Sequence, residues 1–186
     1  MPAPDTVPGA RYSAGGWTDL LGNLWLFGGF ATNGFLNDLW KYSNGQWTWV
    51  SGAISAYQPG VYGTLGVSSA SNVPGSRQTA MTWTDPSGNF WLFGGNGIDS
   101  TNGMGLLSDL WKYSNGEWTW MSGTKLMNQN GVYGTQGTLG PGDIPGARAQ
   151  VCRWVDANGN LWLFGGFGVP ASGTEGNMND LWMYMP

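Results

Sequence analysis

Gly159-Asn160-Leu161-Trp162-Leu163-Phe164-Gly165-Gly166 decides the reading of this chain, because it occurs twice more almost unchanged. The other copies are Gly22-Asn23-Leu24-Trp25-Leu26-Phe27-Gly28-Gly29 and Gly88-Asn89-Phe90-Trp91-Leu92-Phe93-Gly94-Gly95. Each is followed by a second shared piece: Asn37-Asp38-Leu39-Trp40, Ser108-Asp109-Leu110-Trp111 and Asn179-Asp180-Leu181-Trp182. Each is preceded by Pro-Gly-x-Arg, ending in Arg11, Arg77 and Arg148, at spacings of 66 and 71 residues. Self-similarity at such a period means stacked supersecondary units, each unable to bury its apolar face alone. The five extra residues of the longer spacing fall within Asn96 to Leu106, which marks that segment as a surface loop.

Each unit reads as a run of strands. Strand A ends at Trp17, Trp83 or Trp154, and a turn follows, clearest in Asp85-Pro86-Ser87-Gly88 and Asp156-Ala157-Asn158-Gly159. Strand B is the LWLF or FWLF run, and strand C is Asp38 to Tyr42, Asp109 to Tyr113 or Asp180 to Tyr184. Strand D is Gln46 to Val50 or Glu117 to Met121, reached through Ser43-Asn44-Gly45 and Ser114-Asn115-Gly116 hairpins. The third unit reads Met183-Tyr184-Met185-Pro186 after strand C and has no strand D. Between units, Gly60-Val61-Tyr62-Gly63-Thr64 and Gly131-Val132-Tyr133-Gly134-Thr135 recur, which points to ordered insertions rather than linkers. Four antiparallel strands per unit make a propeller blade.

Composition sets limits on function. Charged residues make up 10% of the 186, net charge is −4 and there is no Lys/Arg cluster, which excludes a nucleic-acid footprint. No apolar run is long enough to span a membrane. Met1-Pro2-Ala3-Pro4-Asp5 has neither the basic nor the apolar region of a signal peptide. Few Lys and many Gly, Thr, Asn and Trp suit an extracellular or cell-surface setting. There is no histidine and a single cysteine, Cys152, at the place of Met81 in the preceding unit. That removes most catalytic triads and transition-metal sites, and it reads Cys152 as a buried small hydrophobe.

The order Pro-x-x-Arg, apolar strand ending Gly-Gly, Asn-Asp-Leu-Trp-x-Tyr and Trp-x-Trp resembles the kelch repeat. It is closest to the Trp-rich bacterial kind with the Gly-Val-Tyr-Gly-Thr insert, and the resemblance covers nearly the whole chain. It implies an all-β fold with the central-domain architecture of galactose oxidase: one domain over 1–186. Blades are expected at about 8–50, 74–121 and 145–186, with inserts at 51–73 and 122–144. A propeller ring takes four to eight blades. Three would leave the outward faces of units 1 and 3 as large apolar patches. A homodimer closing a six-bladed ring about a two-fold axis resolves this. A filament or cell-surface building block does so as well, and so does membership, natural or engineered, of a longer kelch array.

Candidate residues divide by whether they recur. Trp17, Trp83, Trp154, Trp25, Trp91, Trp162, Trp40, Trp111 and Trp182 all stand at repeated positions, which points to blade packing. The resemblance places Arg11, Arg77 and Arg148 at the mouth of the central channel, where guanidinium forks would suit a carboxylate, sulfate or acidic peptide. The competing reading is structural pairing with aspartates of neighbouring blades. Asp156, Asn158 and Asn160 put oxygens at alternate positions, as a calcium loop does, but no bidentate Glu follows and a plain turn is the competing reading. Galactose oxidase and the iron-dependent kelch specifier proteins use histidine ligands, which this chain cannot supply. Asp38, Asp109, Asp99 and Glu175 offer carboxylates, but no spacing singles out a glycosidase pair. The expectation is therefore a non-enzymatic scaffold without cofactor. It would associate with itself and recognise a protein or glycan through the strand B to strand C loops, Phe30 to Phe35, Asn96 to Leu106 and Phe167 to Met178.

Overall fold

The structure, a computed structural model, describes residues 7–186. The reading of residues 1–5 as free of a signal peptide lies outside them. All regular structure among the described residues is β, in three antiparallel sheets. Blade 1 is β1 (Gly15–Thr18), β2 (Leu24–Ala31), β3 (Gly34–Ser43) and β4 (Gln46–Ser51), in that spatial order. In blade 2 the inner strand is split into β5 (Arg77–Gln78) and β6 (Met81–Thr84), both paired with β7 (Phe90–Ile98), followed by β8 (Met104–Ser114) and β9 (Glu117–Ser122). Blade 3 repeats this with β10 (Arg148–Ala149), β11 (Cys152–Val155), β12 (Leu161–Gly168) and β13 (Gly176–Tyr184). Among the described residues β13 pairs only with β12.

The inner strand breaks at Thr79 and Gln150, both at positive φ, and Ser13 has the same conformation in blade 1. Opposite the break lies the Gly-Gly pair. There the register slips between Phe27 and Gly29, because Gly28 alone on β2 faces both Asn37 and Asp38 on β3. The same bulge recurs beside Gly94 and Gly165. A bulge re-aims the side chains of the longer strand, and here it turns the Asn-Asp pair toward the inner strand.

Pairing resumes beyond the bulge, which corrects the expected loop in blade 2. Asn96 to Ile98 and Met104 to Leu106 are strand, and the connection is only residues 99–103. Asp99 holds it by accepting from the backbone N–H groups of Thr101, Gly103 and Met127. In blade 1 the corresponding connection is a two-residue turn between Ala31 and Gly34.

The core lies between blades. Trp17, Phe27 and Leu39 of blade 1 pack on Phe90, Leu92, Trp111, Tyr113 and Trp118 of blade 2. Met81, Trp83, Trp91, Phe93 and Leu110 of blade 2 pack on Leu161 and Leu163 of blade 3, with Trp182 and Tyr184 at the margin. Each blade thus has one face for its successor and another for its predecessor. Burying each Leu or Phe in these clusters stabilises by roughly 1.5–3 kcal/mol. Hydrogen bonds register the inner strands: Trp17 Nε1 donates to the Trp91 carbonyl (3.1 Å) and Trp83 Nε1 to the Trp162 carbonyl (3.2 Å). Thr82 Oγ1 donates to the Gly16 carbonyl and Arg153 Nε to the Thr82 carbonyl.

Candidate functional site

The arginines are not free at a channel mouth. Arg77 is buried and forms a two-pronged ion pair with Asp109, both contacts at 2.7 Å, while its Nε and Nη1 also donate to the carbonyls of Gly75 and Gly94. Arg148 repeats this with Asp180, Gly146 and Gly165, and Arg11 with Asp38, Gly9 and Gly28. Each pair joins the inner strand of a blade to strand C of the same blade, which also corrects the neighbouring-blade pairing. The bulge delivers the aspartate, so the arginine serves as the clasp of its blade.

The aspartate collects further donors. The Trp111 indole and the Tyr62 hydroxyl both donate to Asp109 Oδ2 at 2.7 Å. Burial alone would raise the Asp109 pKa, but the Arg77 charge and these hydrogen bonds override it and hold the carboxyl below its usual range. Tyr62 is pushed far above the ordinary phenol value, by burial first and by the Asp109 charge second. The inserts therefore belong to the following blade: Tyr62 seals the Arg77–Asp109 pair, and Tyr133 donates to Asp180 in the same way.

The calcium candidate is a turn. Asp156 Oδ1 accepts from the backbone N–H groups of Asn158 and Asn160, and Oδ2 accepts from the Asn160 amide and the Trp162 indole. A cation there would face four hydrogens. Asp19 and Asp85 make the same four-donor turn with Trp25 and Trp91. The indole donor six residues on was missed by sequence reasoning, although Asp-x5-Trp recurs in all three units. Of the four carboxylates named from sequence, Asp38 and Asp109 are committed to arginines and Asp99 to its loop.

Trp17 and Trp40 of blade 1 and Trp83, Trp91 and Trp111 of blade 2 are buried, but the far side of blade 3 is open. Trp83 is 5% exposed and its counterpart Trp154 is 53%; Leu110 is 5% exposed and Leu181 57%. Phe164 and Cys152 are likewise exposed where Phe93 and Met81 are buried, so Cys152 is not the buried hydrophobe expected from its position. At the other end, Leu24 and Trp49 of blade 1 are exposed, whereas Phe90 at the place of Leu24 is buried.

One aromatic group does not follow the repeat. Tyr12, Phe30, Phe35 and Tyr57 form a chain of ring contacts, with centroids 5.5, 5.1 and 5.8 Å apart, at the turn between β2 and β3. The matching places in blade 2 are Gln78, Asn96, Leu106 and Asn128. Tyr12 and Tyr57 are exposed at the two ends of the chain. Gly34 permits the arrangement, since a Cβ there would run into the Tyr57 ring.

In fold the chain is similar to kelch-propeller proteins. It matches YjhT at 18% identity and a TM-score of 0.52, over 87% of this chain and 36% of YjhT. It matches a fungal alcohol oxidase of the AA5 family, solved in complex with copper, at 13% identity and a TM-score of 0.52, over 95% of this chain and 31% of the oxidase. The chain thus spans about a third of the length of these structures. No model of a known protein family and no curated protein matches the sequence. The oxidase's copper has no donor set here: histidine is absent, and no three Cys, Asp or Glu among the described residues are grouped to hold a metal.

Proposed function

We propose that this chain is a non-enzymatic propeller scaffold that associates head to tail with a second copy and presents an aromatic patch for recognition. The observation that carries the association is the open face of blade 3. Trp154, Phe164 and Leu181 are exposed there, while Trp83, Phe93 and Leu110, the same positions one blade earlier, are buried against a neighbour. The complementary face is on blade 1, where Leu24, Leu26, Tyr42 and Trp47 stand where Phe90, Leu92, Tyr113 and Trp118 receive blade 1 itself. The backbone leaves room as well. A Cβ on Gly28 would meet the Arg77 carbonyl and one on Gly94 the Arg148 carbonyl, whereas Gly165 meets only its own blade. A second copy's Arg11 segment fits that place.

Two chains joined this way carry six blades and close about a two-fold axis. Light scattering coupled to size exclusion tests it. A mass that settles near twice 19.9 kDa supports the ring. A mass that grows without limit supports the filament or building-block reading, and a monomer at every concentration overturns self-association in favour of a longer kelch array.

The patch of Tyr12, Phe30, Phe35 and Tyr57 favours a glycan or an apolar protein side chain as ligand. Exposed aromatic rings stack on sugar faces and anchor interfaces, and this group is peculiar to one blade, unlike the packing tryptophans. Tyr57→Ala should abolish any saturable signal on a glycan array or in a pull-down without changing the mass.

A further inference from the structure

We infer that the ligand of the aromatic patch is a neutral carbohydrate, whose ring stacks on Tyr57 while the Gln78 amide of blade 2 bonds its hydroxyls. This rests on the recognition reading proposed above and names the ligand class for it.

Tyr57 stands where the backbone favours another residue. Its φ is +59°, in the left-handed region that a bulky side chain rarely adopts. Asn128, at the same place in the second insert, has φ +54°. Asparagine tolerates that conformation, and the Asn128 Oδ1 also accepts from the Leu106 N–H (2.8 Å). The two turns are otherwise alike: the Tyr57 N–H donates to the Phe35 carbonyl and the Asn128 N–H to the Leu106 carbonyl. The Tyr57 ring instead packs edge-on against Phe35 and over Gly34, where a Cβ would strike it. These contacts fix the ring and still leave it exposed. Strain retained for a fixed, exposed ring points to a contact outside the chain.

The exposure belongs to the position and not to an open edge of the molecule. Blade 2 has a neighbour on each side, and there Asn128 is still exposed and Asn96, at the place of Phe30, is half-buried. Tyr12 differs: Ala149 at its place clusters with Leu106 of the preceding blade, so a neighbour would cover it.

The surroundings select a sugar. Segments 30–36 and 52–58, which carry Phe30, Phe35 and Tyr57, contain no charged residue. Thr32, Asn33 and Ser55 add exposed hydroxyl and amide groups. Gln78 takes the place of Ala149 and Phe35 that of Leu106, so Gln78 borders Phe35 from blade 2, in keeping with the packing of β5 on β3. Its Oε1 is buried without a hydrogen-bond partner. A sugar hydroxyl both donates and accepts, so it satisfies either end of such an amide. An apolar protein anchor would draw on Ile54, exposed three residues before Tyr57, whereas a sugar face needs only the ring.

The test is an array of neutral oligosaccharides probed with the chain and its variants. Saturable binding to at least one of them is expected. Tyr57→Asn should weaken it about tenfold or more, as for a central aromatic anchor, while the melting temperature holds or rises because asparagine relieves the strain. Gln78→Ala should weaken binding and Ile54→Ser should leave it unchanged. Undiminished binding or a lowered melting temperature for Tyr57→Asn, or loss of binding with Ile54→Ser, overturns the inference. A blank array beside a Tyr57-dependent capture of protein overturns the carbohydrate alone, and a blank in both overturns the recognition reading with it.

Discussion

Arg77 shows at the scale of a residue what a repeated charge does in this fold. Its guanidinium and the Asp109 carboxylate are both out of solvent, and the pair persists because each also has neutral hydrogen-bond partners in Gly75, Gly94, Trp111 and Tyr62. Such a pair adds little over a well-packed apolar replacement, but losing one half leaves a buried charge and costs about 3–5 kcal/mol. Arg77→Ala is therefore expected to lower the urea midpoint severely or prevent folding, and Arg11→Ala, whose pair keeps 7% and 4% of its side chains exposed against none for Arg77 and Asp109, to cost somewhat less. The aspartates also set the acid limit. Asp19, Asp156 and Asp180 are held at about 2 against an ordinary 3.8. In Asp19, burial opposes the shift and is outweighed by the Trp25, Asn23 and Leu21 donors; in Asp156 the Trp162 and Asn160 donors lead. In Asp180 burial again opposes, and Arg148, Trp182 and Tyr133 prevail. A depressed folded pKa contributes stability that is complete above the unfolded value and is lost as pH falls through the folded one. Melting temperature should thus hold from neutrality to about pH 4 and fall between there and about pH 2. Asp19→Asn with Asp156→Asn should make that decline shallower.

At the scale of the element, the Gly-Gly pair ending strand B joins one blade to the next. Gly94 has φ +60°, and a Cβ on it would lie 2.7 Å from the Arg148 carbonyl of blade 3 and 2.9 Å from the Leu107 carbonyl of its own blade. Neither neighbour is a flexible side chain. Gly94→Ala should therefore destabilise by about 1–3 kcal/mol from the left-handed backbone alone, and by more from the displaced blade. The same change at Gly165, where no following blade approaches, should cost less, and chemical unfolding of the two variants measures the difference. This element also shows how far the sequence could be read. Strand order and the hairpins follow from turn residues and from the repeat, because those signals are local. The bulge does not, since nothing in Leu-Phe-Gly-Gly says that one glycine will face two residues of strand C. Arg77 and Asp109 are 32 residues apart, and a repeat fixes their period without fixing whether they meet within a blade or across two. The Tyr62 contact to Asp109 spans 47 residues and joins an insert to a blade, so only the folded topology could show it. The aromatic patch escaped for the opposite reason: apart from Phe30, which returns as Phe167, its members do not recur, and a reading built on recurrence passes over them.

At the scale of the whole molecule, the proposed junction between copies can be compared with the two junctions inside one chain. Inside, the inner strands are stitched by a side chain reaching back to the preceding blade: Thr82 Oγ1 to the Gly16 carbonyl and Thr84 Oγ1 to the Thr18 carbonyl. Blade 1 offers Gly16 and Thr18 at these places. A second copy docked on blade 3 can therefore use Thr18 toward the Val155 carbonyl, but it has no side chain at position 16 to reach the Arg153 carbonyl. The junction between copies should be weaker than those within a chain, so the assembly should dissociate on dilution before either half unfolds. Because association stabilises by RT ln(1 + [L]/Kd), about 2.7 kcal/mol at a hundredfold excess over Kd, melting temperature should rise with protein concentration. Trp154→Asp should remove that dependence by putting a charge in the centre of the face. Gly16→Thr should strengthen it. Gly16 is not at positive φ, and a Cβ there meets only the Trp25 carbonyl at 3.5 Å, so the strand accepts a side chain. The hydroxyl introduced by Gly16→Thr would then supply the missing stitch across the junction. Thr also has the greater strand propensity, which by itself would raise the melting temperature equally at all concentrations. The discriminating measurement is the dissociation constant by dilution: a decrease for Gly16→Thr supports head-to-tail docking of blade 3 on blade 1, and a gain in stability with no change in that constant removes it.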